Sequence, residues 1–193
     1  MDTLKQKRIV TTIWLLIFIV AIGFTVLNVR QFLEGYLVVQ PKEDVREVGL
    51  LQDHRPSKGD YLGTLEIPKL EVSIPIYHGA KEQELQKGIG HVPGSALPGK
   101  NNNSVLAGHR DTVFRNLDAL TTNDQLRVKT PTESFVYQIR KIRIVDKNDR
   151  TVIVPKPKAT LTLSTCYPFH VIGPASKRYV IISELVTKEK LGN

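Results

Sequence analysis

The sequence predicts a mostly-β domain, a small barrel or sandwich of largely antiparallel strands, carried on one N-terminal transmembrane helix. Three observations lead there. Residues Ile9 to Val29 contain no charged side chain. From Tyr61 onward, short runs of period-two alternation follow one another, each closed by glycine, proline or asparagine. Helical spacing occurs only in two short stretches, without the strand–helix–strand alternation of a parallel α/β sheet.

The apolar run, about 21 residues long, crosses a hydrocarbon layer of about 30 Å at 1.5 Å per residue. Lys5, Lys7 and Arg8 precede it, while Arg30 and Glu34 nearly balance beyond it. The positive-inside rule therefore puts the N-terminus in the cytoplasm and the rest of the chain outside. A cleaved signal peptide fits less well, because the apolar core is long and Gly23-Phe24-Thr25 is a poor cleavage site. The expected organisation is a cytoplasmic tip and anchor at 1–30, an extracellular stalk at 31–60 and a folded domain at 61–193. The stalk assignment rests on polar, proline-broken stretches such as Gln40-Pro41-Lys42-Glu43-Asp44 and Asp53 to Asp60.

The formal charge of +8 invites a nucleic-acid reading, which the topology argues against. Setting aside Lys5, Lys7, Arg8, Arg30 and Asp2 leaves about +5, dispersed and without an aromatic-interleaved basic patch. No nucleic-acid partner is expected. A mildly basic domain beside an anionic wall or membrane face suits the balance better.

Within the domain, Tyr61–Ile67 reads as a strand stopped by Pro68, and 72–77 as a second that Pro75 pushes toward an edge or bulge. Lys81 to Lys87 is a short helix ended by Gly88, and the glycine- and proline-dense Gly90 to Gly99 is a loop. Asn101-Asn102-Asn103 turns the chain into a buried run, Ser104 to Gly108. Asp111-Thr112 caps a second helix through about Leu120, with Val113, Phe114, Leu117 and Leu120 on its inner face. Strands follow at 126–130, 135–139 and 142–144. Bulky residues change parity between the last two, so a bulge is expected near Arg140-Lys141. A polar connection, Asp146 to Lys158, leads to the strand 160–166, and 178–183 is the last strand.

Cys166 ends that penultimate strand, and Tyr167-Pro168 stops it. A lone thiol on an exported domain has no internal disulfide partner. Either it is a small buried hydrophobe or it is a nucleophile held where a loop leaves it accessible. If the last two strands form a hairpin, Arg178 opens the second at the edge where Cys166 closes the first; its alternative is an ordinary surface arginine. His109 also terminates a buried run, and a satisfied structural histidine is its alternative. His78, His91 and His170 have weaker claims; His91 lies in the Gly/Pro loop and His170 four residues past the thiol. Scattered histidines with one thiol lack metal-ligand spacing, and Asp146, Asn148 and Asp149 read as a solvated loop rather than a calcium site. Neither a metal nor a cofactor is expected.

Thr162-Leu163-Ser164-Thr165-Cys166 resembles the TLxTC signature of sortases, membrane-anchored cysteine transpeptidases of Gram-positive bacteria. Leu106-Ala107-Gly108-His109-Arg110 resembles their histidine motif and Arg178-Tyr179-Val180 their arginine strand. Ile67-Pro68-Lys69-Leu70 and the Gly79 to Gly99 segment are similar to the family's opening strands and loop. One departure is Asn123-Asp124, where such sortases often carry Gly-Asp. The resemblance runs from about Tyr61 to Leu185. It implies a closed eight-stranded β-barrel with two or more short helices, and catalysis by Cys166, His109 and Arg178. It implies cleavage of an LPxT-type sorting signal after threonine and transfer of the acyl group to a peptidoglycan amine, so that the partners are surface proteins bearing such signals and a wall precursor. The compact chain is most similar to class D. The competing classes are a non-enzymatic wall-binding β-domain and a hydrolytic cysteine peptidase.

Overall fold

The computed structural model describes residues 3–37, 56–171 and 173–191, in two separate units. The first is one helix, α1 (Thr3–Leu37). Its segment Thr12–Arg30 is long and apolar enough to span a membrane. Trp14, Phe18 and Phe24 are exposed on it, and a helix apolar on all sides without protein cover suits lipid. The helix runs on past Arg30 to Leu37; the remainder of the expected stalk up to Arg55 lies outside the described residues.

The second unit is a closed barrel of eight strands: β1 (Tyr61–Ile67), β2 (Val72–His78), β3 (Ile89–His91), β4 (Asn103–Ala107), β5 (Gln125–Lys129), β6 (Glu133–Asp146), β7 (Thr160–Tyr167) and β8 (Lys177–Lys190). Their order around the barrel is β1-β2-β3-β4-β7-β8-β6-β5, closed by β5 on β1. Closure removes every sheet edge. Six ladders are antiparallel; β2–β3 and β4–β7 are parallel. The β4–β7 pairing brings together segments far apart in the chain. A short helix, α2 (Glu82–Leu85), precedes β3.

One residue parity from each strand fills the barrel. Leu65, Ile67, Ile74, Ile76, Leu106, Leu126, Val128, Leu161, Leu163 and Ile181 are buried in one cluster, joined by Phe114 and Leu117 from outside the strands. Gly63 permits closure of this barrel. It adopts φ +145°, and a Cβ there would run into the Lys129 carbonyl of the neighbouring strand.

The bulge expected near Arg140-Lys141 is present: pairing of β6 with β8 shifts between Ile139 and Lys141. Asn123 also explains the departure from Gly-Asp. Its φ is +74°, a left-handed conformation that glycine and asparagine tolerate best.

Two sequence expectations are corrected. Gly90 to Gly99 is not wholly loop, because β3 occupies its start and pairs with β2 and β4. The helix expected over Asp111 to Leu120 is instead a series of turns with one 3-10 turn at Leu117–Ala119. Its amides bond three residues back, as Leu117 N–H does to Phe114 O and Leu120 N–H to Leu117 O. Val113, Phe114, Leu117 and Leu120 still bury, because residues three apart share a face in a 3-10 turn too.

Candidate active site

The site is built where β4, β7 and β8 lie side by side. In β7, Leu161 and Leu163 point into the core. Strand alternation therefore sends Thr162, Ser164 and Cys166 to the opposite, outer face. Cys166 is directly paired with Arg178 in the antiparallel β7–β8 ladder. On the other side, β4 runs parallel to β7 in the register Asn103↔Thr160 to Ala107↔Ser164. Gly108 N–H extends this ladder to Ser164 O at 3.2 Å. Continued one step further, the register sets His109 level with Cys166. Cys166 and Arg178 are thus paired neighbours on β7 and β8, and His109 follows two residues after the end of the adjoining β4.

Cys166 is half-buried. It lies on the outer face and outside the core cluster. Thr165 anchors the row from the inner face: its Oγ1 donates to Gly108 O at 2.7 Å, tying the end of β7 to the end of β4. The Tyr167–Pro168 peptide, which is cis, ends β7.

Among the described residues, no hydrogen bond joins the three side chains directly. His109 Nε2 lies 3.5 Å from Glu82 Oε1 of α2, with both side chains substantially exposed. Arg178 Nη1 donates to Lys177 O at 3.0 Å and Ala175 O at 3.3 Å. Its remaining donors make no hydrogen bond among the described residues, so they can receive a substrate carbonyl or an oxyanion.

Arg110 was not marked out by sequence reasoning beyond its place in the histidine motif. It is buried, and its guanidinium donates to Pro168 O (2.9 Å), Val171 O (2.6 Å) and Gly173 O (2.7 Å). The residue after the candidate imidazole thereby clamps the loop after the candidate thiol. Beneath that loop, Phe169 packs edge-on against Tyr179, with ring centroids 5.0 Å apart. Burial, then the Asp118 carboxylate, push the Tyr179 hydroxyl above its ordinary pKa.

The other histidines sit elsewhere. His78 and His91 form a pair across β2–β3, Nδ1 to Nδ1 at 3.0 Å. His91 Nε2 donates to Ala96 O at 2.9 Å, which fixes its Nδ1 as acceptor and makes His78 the donor. Burial first, and the neighbouring His78, depress the His91 pKa. His170 is exposed and lies 3.8 Å from Asp118. Among the described residues no group of three potential metal ligands occurs.

Comparison with known proteins decides the family. The Sortase domain family matches residues 65–186. The chain belongs to the sortase family. Sortase D of Bacillus subtilis (strain 168) is 45% identical over 134 residues, covering 69% of this chain and 68% of that relative. The solved Clostridium perfringens Sortase D5 transpeptidase superposes with TM-score 0.63 at 30% identity, over 69% of this chain and 83% of its own. SrtA sortase from Actinomyces oris gives TM-score 0.65 at 25% identity, over 71% and 86%. This sortase is therefore a transpeptidase by family, and the wall-binding module without activity is set aside.

Proposed function

We propose that this sortase cleaves an LPxT-type sorting signal after its threonine and joins the acyl group to a peptidoglycan amine. The observation that supports this is the direct pairing of Cys166 with Arg178 on the outer face, with His109 two residues past the end of the neighbouring β4. The Cys166 thiolate attacks the threonine carbonyl carbon, and the oxyanion that develops meets the uncommitted donors of Arg178. Collapse expels the downstream amine, which takes a proton from the His109 imidazolium, and leaves a thioacyl bond on Sγ. An incoming amine then gives its proton to neutral His109 as it attacks, the Cys166 thiolate leaves as the new amide forms, and the starting thiolate–imidazolium pair is restored.

The match to Sortase D favours class D. We assign 1–30 to a cytoplasmic tip and anchor, 31–60 to a stalk and 61–193 to the catalytic domain, with Lys5, Lys7 and Arg8 holding the N-terminus inside. Surface proteins with the signal and a wall precursor are then the partners. The test is incubation of the full chain, in detergent, with LPxT-type peptides and an amine acceptor. Intact-mass detection of a thioacyl adduct on Cys166 and a transfer product is the expected result. Hydrolysis alone at saturating amine would make the protein a peptidase instead, and no adduct would remove Cys166 from the mechanism.

A further inference from the structure

The outer face that carries Cys166 continues down the barrel through Ser164 and Thr162 on β7 and through Val180 and Ile182 on β8. Part of it is covered. Val152, in the 3-10 turn Arg150–Val152 of the β6–β7 connection, packs with Val145, Val180 and Ile182. One buried asparagine holds that connection in place. Asn103 opens β4 and is 2% exposed. Its Nδ2 donates to Val152 O and to Val154 O, each at 3.0 Å, while its Oδ1 accepts from Thr162 Oγ1 at 2.7 Å. Both carbonyls only accept, so the amide can be oriented in one way only, and the Thr162 hydroxyl must be the donor. Asn102 reinforces the clip, its Oδ1 accepting from Lys156 N–H at 2.9 Å and its carbonyl from Thr160 N–H at 3.0 Å.

Between the two clipped carbonyls, Ile153 is 52% exposed, and Val154 is 38% exposed. A connection free of these bonds would have no fixed place for either side chain. Asn103 is also remote from the chemistry: Thr162, which it touches, lies four strand residues from Cys166, about 13 Å.

We propose that Asn103 is a specificity-positioning residue, which fixes the β6–β7 connection as one wall of the groove that receives the sorting peptide beside Cys166. This rests on the transpeptidase reading of Cys166. Three readouts on the full chain in detergent test it: steady-state kinetics with an LPxT-type peptide, alkylation of Cys166 by iodoacetamide, and amide exchange over residues 150–158. Asn103→Ala is expected to raise KM about fivefold or more with little change in kcat, and to speed exchange in the connection. Alkylation of Cys166 should keep its wild-type rate. Thr162→Val, which removes one bond and keeps the shape, should move KM and exchange the same way by less, and stands in if Asn103→Ala does not fold. Unchanged exchange, or faster exchange with unchanged KM, overturns the proposal. A fall in kcat with slowed alkylation also overturns it, because the residue would then act on the thiol. If the wild type turns over no LPxT-type peptide, the functional reading fails and the binding role falls with it, whereas exchange still decides whether Asn103 holds the connection.

Discussion

Cys166 and Arg178 face each other across the β7–β8 ladder, both on the face turned away from the barrel core. No intervening residue separates them. In the proposed mechanism, a carbonyl attacked by sulfur would develop its negative charge beside this guanidinium. Arg178→Lys keeps the charge but loses the planar fork, and should lower kcat/KM by about 10²-fold. Near-normal turnover of an LPxT-type peptide by this variant would take Arg178 out of the site. Cys166→Ala should leave the melting temperature unchanged and abolish the thioacyl adduct.

His109 and Glu82 make a different kind of pair. At 3.5 Å, with Glu82 two-thirds exposed, the contact is of the surface kind, which contributes at most about 1 kcal/mol even when both groups are charged. Glu82→Gln should then keep activity within about fivefold. His109→Gln removes the proposed proton carrier and should lower kcat by about 10²-fold or more. Comparable losses in the two variants would show that the carboxylate orients the imidazole.

Arg110 is expected to matter through backbone. Its removal leaves the carbonyls of Pro168, Val171 and Gly173 without the donors they now share. Hydrogen bonds from a charged group contribute about 1.5–3 kcal/mol each, so Arg110→Met should lower stability by at least about 2 kcal/mol in urea titration. Proteolytic cutting of the 168–176 loop should quicken as well. A variant with wild-type stability and wild-type loop protection would contradict the clamp.

The pH dependence of stability should carry the mark of His91. Its folded-state pKa is depressed, chiefly by burial, so the unfolded chain binds the extra proton more readily. The stabilisation is complete above the unfolded value of about 6.5 and is lost as pH falls below it. Melting temperatures of the wild type should therefore drop between neutral and mildly acid pH. His91→Gln, which can still donate to Ala96 O, should show a shallower drop. Parallel curves for the two proteins would exclude the His78–His91 pair as the source.

Gly63→Ala tests barrel closure. The substitution forces a side chain into φ +145° and onto the Lys129 carbonyl, so β1 must leave β5. A loss above about 3 kcal/mol, measured by urea unfolding, is expected.

What the sequence made legible depends on whether local pattern or distant partner decides. β1 begins and ends where alternation and Pro68 place it, and the parity change in β6 marks its bulge. β3 escaped notice because three residues with a glycine at their centre carry no period, and only pairing on both sides makes them a strand. The turns after His109 resemble a helix because 3-10 and α spacing both repeat apolar residues at three. Cys166, His109 and Arg178 stand out in the sequence because each lies at or just past a strand end within a short motif. Arg110 and Asn103 were not, since both act on main-chain carbonyls about 50 to 60 residues away, and a carbonyl leaves no trace in the sequence.

The parallel union of β4 with β7 has a consequence for the order of events in folding. Residues 108–159 lie between the two strands, and they include all of β5 and β6. Closing so long a loop is entropically slow, and contacts distant in sequence tend to form late. Until they form, the His109 imidazole and the Cys166 thiol are strangers on one flexible chain. On the proposed mechanism, turnover would therefore begin only when the barrel is complete, and the protein would acquire its chemistry in the same step that gives it its final shape.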